Sequence, residues 1–359
     1  MKNYPISEIK NKRILGRSVK GGIDSQGSVR LFWAASALEL NIKATEIWAE
    51  IACDYDSQEI WLAVEVNGFQ TARFMAPKEA SLICLARNLN PEKENLISII
   101  KDTQPMPDDD RHFLKINSIS LNDQGCFCPI KNRSLKIEFI GDSLTSGEGL
   151  AGKSDEMDWI TQWFCASKTY AVQTAKLLDA DWSCISQCGW GLCWGWDGNT
   201  DSRIPAYYGQ VCGLLTGEAQ KKTGTCGDFD FAGGSDYVIL NLGTNDNSGF
   251  NVHADENPDQ LIVNEVKRFL GEIRSNNPRA KIIWSWGIMF LDKMPALLKK
   301  GIDEYKKESG DAAVYALELE DMNKIEKSEE DKGSRGHPGL LSHKKAAMRL
   351  VDFIRSLDA

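Results

Sequence analysis

The segment Leu135-Lys136-Ile137-Glu138-Phe139-Ile140-Gly141-Asp142-Ser143-Leu144-Thr145-Ser146-Gly147-Glu148-Gly149 passes in one step from an apolar run of strand length to a turn of glycine, aspartate and serine. Leu135 to Ile140 reads as a short buried strand, and Gly141 lets the backbone bend sharply behind it. Ser143 is thereby held at a strand end, where its hydroxyl can face a cleft. Taken alone, Gly-Asp-Ser is a common loop tripeptide, and a serine there also suits the N-cap of a following helix.

Downstream, strands and helices alternate. Ala166 to Leu178 reads as a helix, Trp182 to Ser186 and Tyr237 to Leu242 as strands, and Pro258 to Arg274 as a helix with Ile262, Val266, Phe269 and Ile273 on one face. Lys281 to Trp286 is then a strand, Met294 to Glu308 a helix, Ala313 to Leu319 a strand, and Leu340 to Leu357 a closing helix with Ala347, Val351 and Ile354 on one face. This alternation predicts a parallel sheet covered on both sides. Upstream, the pattern is short β runs broken by turns, such as Leu38 to Ile42, Ile60 to Val66 before Asn67-Gly68, Ser81 to Leu85, Asn95 to Ile100 and Leu114 to Leu121. These predict a sandwich or jelly roll. Two domains are expected, 1–130 and 131–359, joined near Pro129-Ile130-Lys131-Asn132-Arg133.

The chain is 42% hydrophobic and 26% charged, an ordinary globular composition. A formal net charge of -9 argues against a surface that neutralises phosphates, so nucleic acid and anionic membrane are not expected partners. Met1 to Lys10 lacks an apolar core behind its lysine, and no run has the length and apolarity of a membrane span, so the chain as given is expected to be cytoplasmic. Ten cysteines are spread from Cys53 to Cys226 without metal-ligand spacing, and they read mostly as buried free thiols.

In a parallel α/β sheet, ligands bind beyond the carboxyl ends of the strands. After the strand ending at Leu242 comes Gly243-Thr244-Asn245-Asp246, a good turn on composition, in which the Asn245 amide is also a neutral donor suited to an oxyanion. Ser334-Arg335-Gly336-His337-Pro338-Gly339 precedes the last helix. Only four histidines exist, and His112, His253 and His343 fit a catalytic base less well by position, His253 being the alternative.

The order of these blocks, Gly141-Asp142-Ser143, Gly243-Thr244-Asn245-Asp246 and His337-Pro338, resembles that of the SGNH (GDSL) hydrolases over residues 134 to 359. With the β region ahead of it, Phe32-Trp33, Gly147-Glu148-Gly149 and Ile204-Pro205-Ala206-Tyr207-Tyr208, the chain looks like carbohydrate esterase family 2. That resemblance implies a flavodoxin-like three-layer α/β domain preceded by an all-β jelly roll. It also implies removal of acetyl groups from polysaccharides or oligosaccharides such as xylan and mannan, with no metal or organic cofactor. A lipase or thioesterase on other small esters, or an inactive carbohydrate-binding protein, are the alternatives, and a homo-oligomer is left open.

By the same resemblance Ser143 is the nucleophile and His337 its base, and the oxyanion is held by Ser143, Gly189 and Asn245, with Gly191 as second choice to Gly189. The family's usual acid three residues before the histidine is replaced by Ser334. The ring is then expected to be oriented by the Arg335 carbonyl, or else by Asp331. Of the cluster Trp190, Trp194 and Trp196, Trp190 is the expected sugar contact, against the alternative that these rings only pack.

Overall fold

The structure is a computed structural model and describes residues 1–107, 109, 111–215, 218, 224–225, 227–289, 291–321 and 328–358. Two compact units are present, one of Met1–Asn132 with Gly209–Asp230 and one of Arg133–Tyr208 with Phe231–Ala359.

The first unit is built from β1 (Lys2–Pro5), β2 (Lys12–Leu15), β3 (Val29–Leu31), β4 (Ala37–Lys43), β5 (Glu46–Asp54), β6 (Trp61–Val66), β7 (Phe69–Met75), β8 (Ser81–Arg87), β9 (Asn95–Lys101), β10 (Phe113–Leu121) and β11 (Cys126–Cys128). They form two antiparallel sheets, β1-β10-β5-β8 with β3 beside β10, and β11-β4-β9-β6-β7 with β2 beside β4. Along β5 every second side chain is buried, the period of a strand with one face on a core. Leu38, Leu40, Ile97 and Ile99 from one sheet meet Ile47, Ile51, Leu114 and Ile116 from the other in one apolar cluster. Each such fully buried side chain contributes on the order of 1.5–3 kcal/mol.

The sequence boundary placed residues 209–230 in the C-terminal domain, whereas this segment packs into the first unit. The physical reason is a pair of buried donors that need acceptors. Trp33 gives its indole N–H to the Val211 carbonyl at 2.7 Å, and Arg17 gives a guanidinium N–H to the Gln210 carbonyl at 2.6 Å. None of the nine described cysteines is in a disulfide, and Cys226 lies outside the described residues.

The second unit holds β12 (Leu135–Gly141), β13 (Ala180–Ser186), β14 (Tyr237–Asn241), β15 (Lys281–Ile288) and β16 (Val314–Asp321), all parallel, in the order β13-β12-β14-β15-β16. Its helices are α1 (Ser143–Ser146), α2 (Tyr170–Leu177), α3 (Thr244–Gly249), α4 (Pro258–Asn276), α5 (Met294–Ser309) and α6 (Leu340–Asp358). Helices α2 and α6 pack together, as do α4 and α5. Because the order reverses at β12, right-handed crossovers send these pairs to opposite faces of the sheet. The reversal also opens a crevice between the carboxyl ends of β12 and β14, from which Ser143 and Asn245 follow directly. The expected helix from Ala166 is interrupted at Thr169, whose backbone is extended (ψ 163°) and whose hydroxyl bonds the Ala166 carbonyl, so α2 starts at Tyr170. No helix among the described residues is long and apolar enough to cross a membrane.

Candidate active site

Ser143 stands on a turn that is determined locally. Gly141 closes β12 where an added Cβ would lie 2.0 Å from the Thr145 hydroxyl, so only glycine fits the bend. Asp142 caps α1, its carboxylate accepting the Leu144 N–H at 3.0 Å. That bond satisfies the second N–H of the turn, while the N–H of Ser143 is one that a helix start leaves without an intrahelical partner. Burial pushes the Asp142 carboxyl up to about 7, against the opposing pull of the Leu144 N–H and the Thr244 hydroxyl.

The second wall is the loop after β13. Gly189 has φ +74°, a left-handed backbone that suits glycine, and a Cβ there would press on the Trp196 ring at 2.9 Å. Asp246 holds this loop, accepting the N–H groups of Leu192 at 2.8 Å, Cys193 at 2.7 Å and Trp194 at 3.4 Å. Burial nevertheless raises the Asp246 carboxyl to about 6. Gly191 gives its N–H to the Ser202 carbonyl, so that group is committed to the loop and the second-choice donor is withdrawn. Asn245 gives one amide N–H to the Trp190 carbonyl at 2.8 Å, which fixes the amide plane and leaves its other N–H for the cleft.

His337 closes the site, with Nε2 3.0 Å from the Ser143 Oγ. Its loop is held by main-chain bonds to distant segments, Ser334 N–H to the Gly149 carbonyl and Arg335 N–H to the Glu156 carbonyl, and is closed on itself by Gly333 N–H to the His337 carbonyl and His337 N–H to the Ser334 carbonyl. Gly149, at φ +73°, makes this approach feasible, since a Cβ there would lie 2.6 Å from the Ser334 carbonyl oxygen and 3.1 Å from His337 Cβ.

Both expectations for the orienting group are corrected. The buried His337 Nδ1 has no hydrogen-bond partner among the described residues, so the Arg335 carbonyl does not hold it. Arg335 is the left-handed residue of a tight turn (φ 55°, ψ 33°), a geometry set by the turn rather than by the ring. Asp331 is taken up by the Ser328 N–H and hydroxyl, Ser342 and Lys345. These partners hold its carboxyl below the usual carboxylate range despite burial.

The sequence reading gave no role to Glu148. Its side chain is 7% exposed, with Oε1 2.5 Å from Arg335 Nη1 and Oε2 3.6 Å from His337 Nε2. The Cys188 thiol, pushed up chiefly by burial, also bonds this carboxylate. The signal was present in Gly147-Glu148-Gly149, a charged residue between two glycines directly after the nucleophile turn.

Ser143, Glu148, Cys188, Gly189, Asn245, Arg335 and His337 line one cavity of about 450 Å³. Its aromatic rings are Trp159 and Trp196, the latter 64% exposed. Trp190 is corrected as the sugar contact: its ring packs on Tyr207 at 5.2 Å, and what it presents toward the site is its carbonyl. Trp194 stacks on His253 at 4.3 Å, and His253 bonds the Gly198 carbonyl, which removes it as a base. His343 is buried and accepts the Tyr170 N–H at 3.0 Å, and burial lowers it to about 3. His112 lies in the first unit, bonded to the Gln58 carbonyl. Asp108 and Asp110, beside it in sequence, lie outside the described residues.

A serine after the first strand of a parallel sheet in the order 2-1-3-4-5, bonded to a histidine ahead of the last helix, defines a hydrolase domain of the SGNH type. No protein-family model matches the chain. An acetyl xylan esterase from the rumen bacterium Butyrivibrio proteoclasticus is 33% identical, with TM-score 0.92 over 99% of each chain. The chain therefore belongs to carbohydrate esterase family 2. The cellulase/esterase CelE of Acetivibrio thermocellus is 26% identical over 332 residues, 90% of this chain. An acetylxylan esterase / glucomannan deacetylase of Cellvibrio japonicus is 33% identical over 168 residues, 45% of this chain. The matches span 37% and 42% of these two curated relatives.

Proposed function

We propose that the chain removes O-acetyl groups from plant-type polysaccharides or oligosaccharides such as xylan and mannan, by acyl transfer first to Ser143 and then to water. The carrying observation is the 3.0 Å contact of Ser143 Oγ with His337 Nε2 inside a cavity that Gly189 and Asn245 also line. In this reading His337 takes the Ser143 proton as Oγ attacks the acetyl carbonyl. The Ser143 and Gly189 N–H groups and the Asn245 amide hold the tetrahedral oxyanion. His337 returns the proton to the leaving sugar oxygen, and water then repeats the cycle on the acetyl-enzyme. Trp196, exposed at the cavity, offers a ring face to the sugar. The activities in the relatives' names support this substrate class.

We also infer that the first unit is the jelly roll the resemblance implies. The nesting of its strands supports this, with β1-β10-β5-β8 in one sheet and β4-β9-β6-β7 in the other.

The test is acetate release from acetylated xylo- and manno-oligosaccharides. Wild type should be active, and Ser143→Ala and His337→Ala should each lose about 10⁴-fold or more. Binding without release by wild type would make the chain a carbohydrate-binding protein. Equal rates on p-nitrophenyl acetate and on longer acyl esters would make it a general esterase.

A further inference from the structure

The family's usual acid is absent at Ser334, and His337 Nδ1 has no partner among the described residues, yet a buried carboxylate lies on the other side of the ring. We propose that Glu148 is a positioning residue that stabilises the His337 imidazolium from the nucleophile side, anchored there by Arg335. This rests on the acyl-transfer reading above.

When Ser143 attacks, its proton moves to Nε2, and the ring gains a positive charge centred beside Glu148 Oε2, 3.6 Å away. A carboxylate at that distance, in a partly water-excluded site, attracts the positive charge that develops on the ring in the transition state. Glu148 takes no proton in this step: the proton goes from Oγ to Nε2 and then to the leaving oxygen, and the carboxylate stays ionised throughout. Arg335 supports that state, giving Nη1–H to Oε1 at 2.5 Å. The arrangement differs from a Ser-His-Asp triad, where the acid accepts from Nδ1 at the far side of the ring. Here the main-chain bonds of the Gly333–His337 turn orient the backbone, and Glu148 supplies the charge.

A carboxylate at this place could instead bind a sugar hydroxyl, so the test uses a reagent without a sugar. A fluorophosphonate labels Ser143 through its nucleophilicity toward phosphorus, which depends on proton transfer to His337. Glu148→Gln should slow labelling about 100-fold and lower kcat on p-nitrophenyl acetate by the same factor, with KM changed less than about threefold. Glu148→Asp, which keeps the charge but withdraws it by one methylene, should recover about tenfold of that loss. Labelling of Glu148→Gln at the wild-type rate overturns the proposal, whether or not saccharide turnover falls. If Glu148→Gln does not fold, Glu148→Asp decides alone: about tenfold slower labelling than wild type supports the proposal, and an unchanged rate overturns it. A wild type that is labelled but releases no acetate breaks the substrate reading and leaves this one standing, whereas an unlabelled wild type breaks both.

Discussion

The nucleophile turn and the histidine loop meet at a single hydrogen bond, but they are assembled by different means. Gly141 to Ser146 is fixed largely by its own chemistry: a strand end, a glycine whose added Cβ would meet Thr145 first, and an aspartate that caps the next turn. Gly333 to His337 has little of this. Two bonds within it, from the N–H groups of Gly333 and His337, close the turn, but the N–H groups of Ser334 and Arg335 go to carbonyls at Gly149 and Glu156, and its charge partner Glu148 is 187 residues from Arg335 in sequence. One corner of the site is thus written locally, and the other is borrowed from contacts that form only when the unit has folded. The locally built corner should tolerate the loss of single contacts, and the borrowed one should not.

The largest effect that sharpens this contrast is expected at Asn245, on the strand-end side. Removing its amide by Asn245→Ala deletes one oxyanion donor, worth about 3 kcal/mol of barrier, so kcat should fall about 10²- to 10³-fold. Because the Trp190 carbonyl fixes the amide in a loop that Asp246 already holds, thermal stability should change little. Steady-state kinetics beside a melting curve check this. A large fall in Tm would mean that Asn245 is structural, and the two corners would then be alike.

Next comes Gly149→Ala, aimed at the borrowed contact. The new Cβ meets the Ser334 carbonyl and His337 Cβ at 2.6 and 3.1 Å, on a left-handed backbone that itself costs about 1–2 kcal/mol for a residue with a side chain. We expect activity about tenfold lower and faster amide hydrogen exchange at 332–339, with exchange at 141–146 unchanged. Equal loss of protection in both segments would refute the contrast.

This difference also explains what could be read from sequence. Ser143 and Asn245 follow strands whose apolar runs are visible, so their places at the β12 and β14 ends were legible. His337 was found by block order, but its surroundings were not, because Gly149, Glu156 and Glu148 approach it only in three dimensions. The resemblance points to the Arg335 carbonyl, with Asp331 as the alternative, and neither a family pattern nor a nearby acid shows which groups reach a loop that is held in part from outside. Trp190 failed for another reason: its ring drew attention, while its main-chain carbonyl faces Asn245. The segment 209–230 was misplaced because it carries no strong strand or helix period, and what fixes it are the distant Trp33 and Arg17.

The smallest effect compares the same isosteric exchange in the two corners. Asp142 serves as a hydrogen-bond acceptor under the nucleophile, and burial disfavours its charge, raising it from 3.8 to about 7. A raised folded value means that the proton is held more tightly in the native state. The resulting stability is fully present below about pH 4 and is lost as pH rises through 7. Asn at 142 keeps an acceptor for the Leu144 N–H and removes the titration. Asp142→Asn should therefore match wild type in Tm near pH 4 and exceed it by a few degrees near pH 8, flattening the profile. Asp246, raised to about 6, leaves a residual slope of the same sign in both proteins. Parallel Tm profiles for wild type and Asp142→Asn would show that the charge at 142 is tolerated. At Glu148, by contrast, the change from carboxylate to amide is expected to be costly, because the anion itself is what His337 needs there.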